Sequence, residues 1–543
     1  MTHPIVRNWR WAAIPFGVVY LILLALRFRG IVTSTNLDAD AVSAPVIGEL
    51  FGSAPASAHV VLGEFAWYAT LLFELGTKWL PEHRHVWEVA PYLMALAGAA
   101  LTAWSVWQVA GRFAASLTAV LLVCAAPATL HLLLSMTQHA PDWFCLGLLA
   151  GFLVLLERRA ATLRLGVVVP LSLIVGLIVG VNAASDPLLL ISGLVPFVLA
   201  VAASRVLARG ADSARTVVVA GATLAVVALA WAGTAIAMSA LHVSAEPGIH
   251  TSTLASAGKI ASNFRLWWQS VAVLGNGDFF GRALTFTSGL AVVCAILSIA
   301  AVVLLPKLGW GALRARWPGT PTASGVPPPV TGRPPAPARL AFMVFWSSSA
   351  VLLTAAFLIS AIPVDIHADR YLVGVIYAAA AVIPAVAARR VITQAVALVG
   401  TCVLALAAIV SLAQGVVTRN TEGFPPAGLA GRVAALASVN HLQVGYAGYW
   451  DAAPITWASH FRAKVYPVSV CDQGAHLCPF DLHFISSWYT PRAGAGSFLL
   501  TDRRLKLVPA PTPDLGRPAA VYRIGQLTMY VYRYDIASRL ATT

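Results

Sequence analysis

The chain has 543 residues, of which 59% are hydrophobic and only 11% charged, and its mean hydropathy is +0.78. Such a composition excludes a soluble enzyme and gives a polytopic α-helical membrane protein whose first partner is the lipid bilayer. The formal charge of +14 does not signal nucleic acid, because excess arginine is expected in the cytoplasmic loops of a membrane chain.

Runs of roughly 17 to 25 apolar residues predict about eleven spans. They fall near 10–28, 87–109, 114–133, 142–157, 166–184, 187–204, 217–240, 285–305, 340–362, 371–388 and 391–413. The first follows Arg7 and Arg10 and lacks a small-residue cleavage site, so it reads as a retained anchor. Basic residues set the orientation, N-terminus inside and C-terminus outside. Arg112, Arg158, Arg159, Arg164, Arg205, Arg209, Arg215, the stretch Lys307 to Arg339, Arg389 and Arg390 then lie in cytoplasmic loops. The alternate loops carry most of the acids and histidines.

Beyond the first run comes the polar segment Thr33-Ser34-Thr35-Asn36-Leu37-Asp38-Ala39-Asp40. The stretch Val60 to Leu80 is almost apolar enough to span, but a crossing there would move every later basic loop outside. Residues 30–86 are therefore expected to form one outer loop. Interfacial helices are placed near 41–51 and 62–79, with Trp67, Tyr68 and Trp79 at the headgroup level. The outer loop 241–284 contains Phe264-Arg265-Leu266-Trp267-Trp268 and Asn276-Gly277-Asp278, a further interfacial helix and a turn. The loop 306–339, with Gly-Val-Pro-Pro-Pro-Val and Arg-Pro-Pro-Ala-Pro, is expected to be a cytoplasmic linker without regular helix.

Residues 1–417 thus form a transmembrane domain and 418–543 a small extracytoplasmic α/β domain. In the latter, strands are predicted at Leu442 to Tyr446, Lys464 to Val470, Ser497 to Thr501, Val521 to Ile524 and Thr528 to Tyr534. Helices are predicted over 428–438 and 449–460. Cys124, Cys145, Cys294 and Cys402 sit in apolar runs, where cysteine behaves as a small hydrophobe. Cys471 and Cys478 lie in a polar stretch facing an oxidising compartment, which favours a disulfide. A metal site that also used His476 and His483 is the sharper alternative.

Four polar clusters fall at span ends on the outer face: Asp38 with Asp40, His139 with Asp142, Asn182 with Asp186, and Asp365-Ile-His-Ala-Asp-Arg-Tyr, which holds His367, Asp369, Arg370 and Tyr371. Singly, each is a solvated loop end, where ionisable groups cost less than at mid-bilayer. Together they supply a carboxylate to take the proton of a hydroxyl nucleophile and a guanidinium to grip a phosphate. Asp40 directly precedes the apolar run of the next helix and is the better N-cap, which leaves Asp38 as the better base. The two acids could instead jointly hold a divalent cation. No Walker A, HExxH, GxSxG or paired CxxC motif is present.

The retained first span, the long outer loop with early acids, the Asp-Arg-Tyr-Leu that opens a late span and the closing α/β tail resemble the GT-C membrane glycosyltransferases. The likeness is greatest to bacterial relatives of protein mannosyltransferases and lipid-linked-sugar transferases. The acids read Asp-Ala-Asp, without the adjacent Asp-Glu pair of mannosyltransferases, and the Trp-Trp-Asp-Tyr-Gly signature of oligosaccharyltransferases is lacking. The resemblance implies transfer of a sugar from a polyprenyl-phosphate carrier to an envelope glycan, lipid or protein outside a bacterial cytoplasmic membrane. It implies Asp38 or Asp40 as the base, the loop with Asp369, Arg370 and Tyr371 at the lipid phosphate, and His139 with Asp142 as the polar pair of the second outer loop; Asp186 and His367, from the clusters above, are the further supporting polar residues. The competing class is a transporter or flippase for lipid-linked precursors, or a scaffold of envelope assembly. A transporter is expected to place ionisable groups at mid-span and to show repeated or broken helices. Here the polar groups cluster at one face, which favours the enzyme.

Overall fold

In hydrocarbon the backbone must satisfy its own hydrogen bonds, so each long apolar run becomes a helix. The computed structural model describes residues 11–63, 67–80, 83–159, 164–208, 213–245, 253–314, 336–415, 427–471, 476–503 and 511–541. Its helical part comprises α1 (Ile14–Thr35), α2 (Ala39–Phe51), α3 (Tyr68–Thr77), α4 (His83–Ala110), α5 (Arg112–Val123), α6 (Pro127–Leu133), α7 (Ala140–Arg159), α8 (Leu165–Ser185), α9 (Val195–Ala208), α10 (Ser213–Ala240), α11 (Ala257–Leu274), α12 (Phe286–Arg314), α13 (Ala336–Ile359), α14 (Val373–Ala387) and α15 (Val391–Ala413). Among the described residues nine helices are long and apolar enough to cross a membrane. The bent pair α5–α6, which turns through 84°, makes a tenth if counted as one span. The run expected near 187–204 is a shorter helix that opens with a π-helical turn at Leu190–Leu194. This is a multi-pass membrane protein.

Close approach in the bundle depends on small residues, as expected where lipid supplies no hydrophobic drive between helices. Gly98 of α4 faces α7, where an added Cβ would stand 3.0 Å from the Trp143 carbonyl oxygen. Gly147 of α7 faces Gly98 in return, where an added Cβ would stand 2.9 Å from the Gly98 Cα. The backbones touch there, and Trp143, fully buried, packs one turn away.

Several expectations need correction. Helix α1 runs on to Thr35, because Thr33 and Thr35 return their hydroxyls to the carbonyls of Arg29 and Ile31. The outer loop therefore begins after residue 35 and not at 30. The helix expected from 62 begins at Tyr68, and ahead of it lies strand β1 (Val60–Leu62). It pairs in parallel with β2 (Val243–Ala245) and antiparallel with β6 (Phe484–Ile485), so distant pairing overrides local preference. Trp67 is buried and not at a lipid interface, whereas Trp79 is exposed. Helix α12 continues through Pro306 to Arg314, and α13 begins at Ala336, so the ends of the supposed linker are helical. Proline is tolerated inside membrane helices whose neighbours supply the packing. The remainder of that Pro-rich loop lies outside the described residues, as does the expected boundary at 417.

The tail holds α16 (Ala427–Val439) and α17 (Tyr449–Ala458) against a sheet made of β3 (Leu442–Ala447), β4 (Val465–Cys471), β5 (His476–Pro479), β7 (Gly496–Asp502), β8 (Ala520–Ile524) and β9 (Leu527–Tyr532). The strand order is β5-β4-β3-β7-β9-β8, parallel at β4-β3-β7 and antiparallel elsewhere. Strands β5 and β6 were not anticipated, being only four and two residues long. Cys471 and Cys478 form a disulfide, with Cα atoms 5.9 Å apart. With both sulfurs so used, the alternative tail metal site loses its thiolates.

The small sheet β2-β1-β6 joins the first loop, the segment after α10 and the tail, so all three lie at one end of the bundle. Arg84, at the start of α4, donates to the Trp457 carbonyl at 3.0 Å and lies 4.4 Å over the Trp457 ring. The opposite end gathers arginines: Arg158 donates to the Gln108 carbonyl, Arg205 pairs with Glu157 and Arg339 reaches the Ala385 carbonyl. On the basic-loop bias that second end is the one expected to face the cytoplasm. In spheroplasts, a cysteine at Val521 should accordingly react with an impermeant maleimide and one at Trp310 only after permeabilisation; the reverse pattern would invert the orientation.

Candidate active site

Residue Asp38 takes the role expected of Asp40. Its extended backbone precedes α2, and its Oδ1 accepts from the Asp40 N–H at 2.9 Å, which is N-capping. Its other oxygen lies 3.7 Å from His131 Nε2, and His131 Nδ1 meets the Thr35 hydroxyl at 3.3 Å. Asp40, inside the first helical turn, is thereby turned away from capping. Its Oδ1 accepts from the Tyr449 hydroxyl at 2.7 Å, and its Oδ2 stands 3.4 Å from Arg370. The hydrogen bonds of the two acids go to different partners.

Arg370 enters from a 3-10 turn, Ile366–Leu372, that Asp365 caps by accepting from the His367 N–H. Its guanidinium donates to Gln138 Oε1 at 3.2 Å and to the Tyr371 hydroxyl at 3.2 Å. Its Nε is buried with no hydrogen-bond partner among the described residues, a donor still in hand. Asp369 on the same turn is buried, whereas His367 is exposed and stands apart from this group.

Below Tyr371 lies His139, its ring 5.5 Å from the tyrosine ring. His139 contacts Asp186 directly through Nδ1, with Asp142 4.0 Å away, and all three are buried. Its φ of +65° turns the chain sharply before α7. Asn182 donates to its own helix at Ile178 and lines a small cavity beside Asp186. His139, Asp142 and Asp186 place three donor atoms within 4.8 Å of one another, close enough for a metal ion.

The tail contributes more than sequence reasoning found. Burial and the Asp40 carboxylate raise the Tyr449 phenol well above its ordinary pKa, so it remains an O–H donor to Asp40. The His483 ring stacks on Trp67 at 4.0 Å and on Tyr449 at 5.6 Å. Gly63 makes room for it, since a Cβ there would stand 2.5 Å from the imidazole. Burial pushes His483 down to about 4, although Asp40 opposes the shift. Thr137 also ties the second outer loop to the Asp40 carbonyl. None of Tyr449, Gln138, Thr137 or His483 carries a local motif. Their only signal is polarity in outer segments, which many solvated residues share.

No known family profile matches the sequence, and no curated protein does. Among solved structures, the chain is similar to ArnT from Cupriavidus metallidurans bound to undecaprenyl phosphate, with a TM-score of 0.50 and 12% identity. That match covers 94% of this chain and 97% of the other. The apo structure of the same protein matches with a TM-score of 0.50 and 14% identity over 98% and 100% of the two chains. At such identity the likeness is one of fold, and it runs through both the helical part and the tail.

The His483 environment has a consequence for pH. An imidazole whose folded pKa is about 4 and whose unfolded pKa is about 6.5 stays neutral in the fold while the unfolded chain binds a proton. Stability is then intact above about 6.5 and declines as pH falls toward about 4, by roughly 3 kcal/mol at most. Melting curves of detergent-purified protein should show this acid loss, and His483→Phe, which preserves stacking, should flatten it. Equal slopes in the two proteins would remove His483 as the cause.

Proposed function

We propose that this protein is a glycosyltransferase that moves a sugar from a polyprenyl-phosphate carrier to an acceptor at the outer face of a bacterial cytoplasmic membrane. The observation that carries the reading is the juxtaposition of Asp40 and Arg370 at the loop-rich end of the bundle. A chain with the fold of ArnT, a GT-C glycosyltransferase whose structure holds undecaprenyl phosphate, adds the class of donor. The transporter alternative is less well supported, because the ionisable groups gather at one end and not along a central path.

In this reading the acceptor hydroxyl attacks the anomeric carbon and gives its proton to Asp40 as the new C–O bond forms. The bond between that carbon and the phosphate oxygen breaks, and its electron pair leaves with polyprenyl phosphate. Arg370 neutralises the charge that grows on this leaving group, most effectively in a partly dry site. Its side chain is 25% exposed, which leaves part of the guanidinium open to a phosphate oxygen. Gln138 and Tyr371 hold the guanidinium in plane. Tyr449 fixes the rotamer of Asp40, and the buried His139–Asp186 pair supports Tyr371 from beneath. Envelope glycan, lipid and protein are all acceptors within this class.

The base assignment is tested by release of polyprenyl phosphate from a labelled lipid-linked sugar. Asp40→Asn should lower turnover by about 10²–10⁴-fold with the fold intact. Asp38→Asn should cost far less, because asparagine still caps. A reversed order would make Asp38 the base, and two silent variants would dismiss the site.

Arg370→Ala should weaken donor binding as well as turnover. Arg370→Lys should recover only part of the loss, since an ammonium lacks the planar fork. Donor affinity unchanged in the alanine variant would take Arg370 out of phosphate recognition.

A further inference from the structure

A second group of charged side chains lies outside this site, where α2, α3 and the first residue of α4 meet. His83 Nε2 stands 3.5 Å from Glu49 Oε2 and 3.8 Å from Glu74 Oε1. One donor atom from each residue falls within 4.8 Å of the others. Gly48 permits the arrangement: a Cβ at 48 would crowd the Glu74 Cβ at 3.1 Å, so its absence lets α3 lie against α2.

Glu74 is the unusual member. Its side chain is 0% exposed, and neither carboxylate oxygen accepts a hydrogen bond from any described residue. A nearby cation on the same segment, Lys78, lies against Gly52 and forms no ion pair with Glu74 among the described residues. A buried carboxylate in that condition is costly, and a bound cation would remove the cost. Two ligands of a tetrahedral zinc ion, at about 2.0–2.1 Å from the metal, stand roughly 3.4 Å apart. The two distances from His83 are close to that value without any rearrangement of the backbone. One imidazole and two carboxylates form a donor set suited to zinc-class ions. Glu49 at 38% and His83 at 25% side-chain exposure leave an entry path and an open fourth position for water.

We propose that Glu49, Glu74 and His83 bind one zinc-class divalent cation that pins the two first-loop helices to the start of α4. The role is positional. Helix α2 carries Asp40, and Arg84, next to His83, holds the tail through Trp457, so the ion fixes the first loop relative to the element on which the tail rests. The His139, Asp142 and Asp186 group is a distinct place and serves as the comparison.

The test uses the full-length protein in detergent, stripped with a chelator and then reloaded with zinc chloride. Elemental analysis should find about one zinc per chain, and zinc should raise the melting temperature of the stripped protein. Glu74→Gln and His83→Gln should abolish both effects. Glu49→Gln, at a half-exposed position where folding is not at risk, should weaken zinc binding by more than the ~10–100-fold typical of outer-shell partners. Asp142→Asn should bind zinc as the parent does. The proposal is overturned if the stripped parent takes up no zinc, if Glu49→Gln and Glu74→Gln bind it unchanged, or if Asp142→Asn alone loses it. Because metal content is read independently of sugar transfer, failure here leaves the assignment of Asp40 and Arg370 standing.

Discussion

The contact on which the outer end of this molecule depends is the one between Asp40 and Arg370, residues 330 positions apart in the chain. Both are partly buried, with side chains 19% and 25% exposed. A carboxylate and a guanidinium so placed would each be costly alone, and each is retained because the other is present. That requirement brings the first loop onto the turn that opens α14. Tyr449, 409 positions from Asp40, brings the tail to the same carboxylate. Three parts of the chain are thus fastened at one pair of charges.

The scaffold beneath lets those parts meet. Gly98 and Gly147 draw α4 and α7 together, which sets the chain around His139 beside the turn carrying Arg370 and Tyr371. Charge is then divided by end. Acids and histidines lie among the outer loops, and arginines answer carbonyls and Glu157 at the other end. The ionisable residues that a transporter would spread along its path are concentrated at one end, which is the arrangement that the proposed group transfer uses.

The tail reaches the proposed site, because Tyr449 donates to Asp40. Trp67, His483, Tyr449 and Phe480 form a run of ring contacts from the first loop into the tail, with Tyr449 and Phe480 5.0 Å apart. Such rings add apolar contact and orientation at once. In the proposed reaction the tail therefore acts on the base through Tyr449, and the order of the first loop becomes a condition of catalysis.

What the sequence determined by itself was everything that follows from local periodicity and composition. The apolar runs coincide with helical segments because a span needs about 20 apolar residues whatever surrounds it. The five longer tail strands and both tail helices lie within a few residues of their expected positions, since alternation and turn residues mark them. The polar groups at span ends were legible as candidates, and Asp40, Arg370, Tyr371, His139, Asp142 and Asp186 do come together. Only the tertiary structure decided which acid caps and which faces the arginine, because that depends on where α2 begins, a matter of one turn of backbone. Strand β1, the burial of Trp67, the helix through Pro306 and the exposure of His367 were decided by distant partners or by packing. Tyr449 could not be found from the chain alone: its importance is its distance to Asp40, and no periodicity in a sequence encodes a contact across 409 residues.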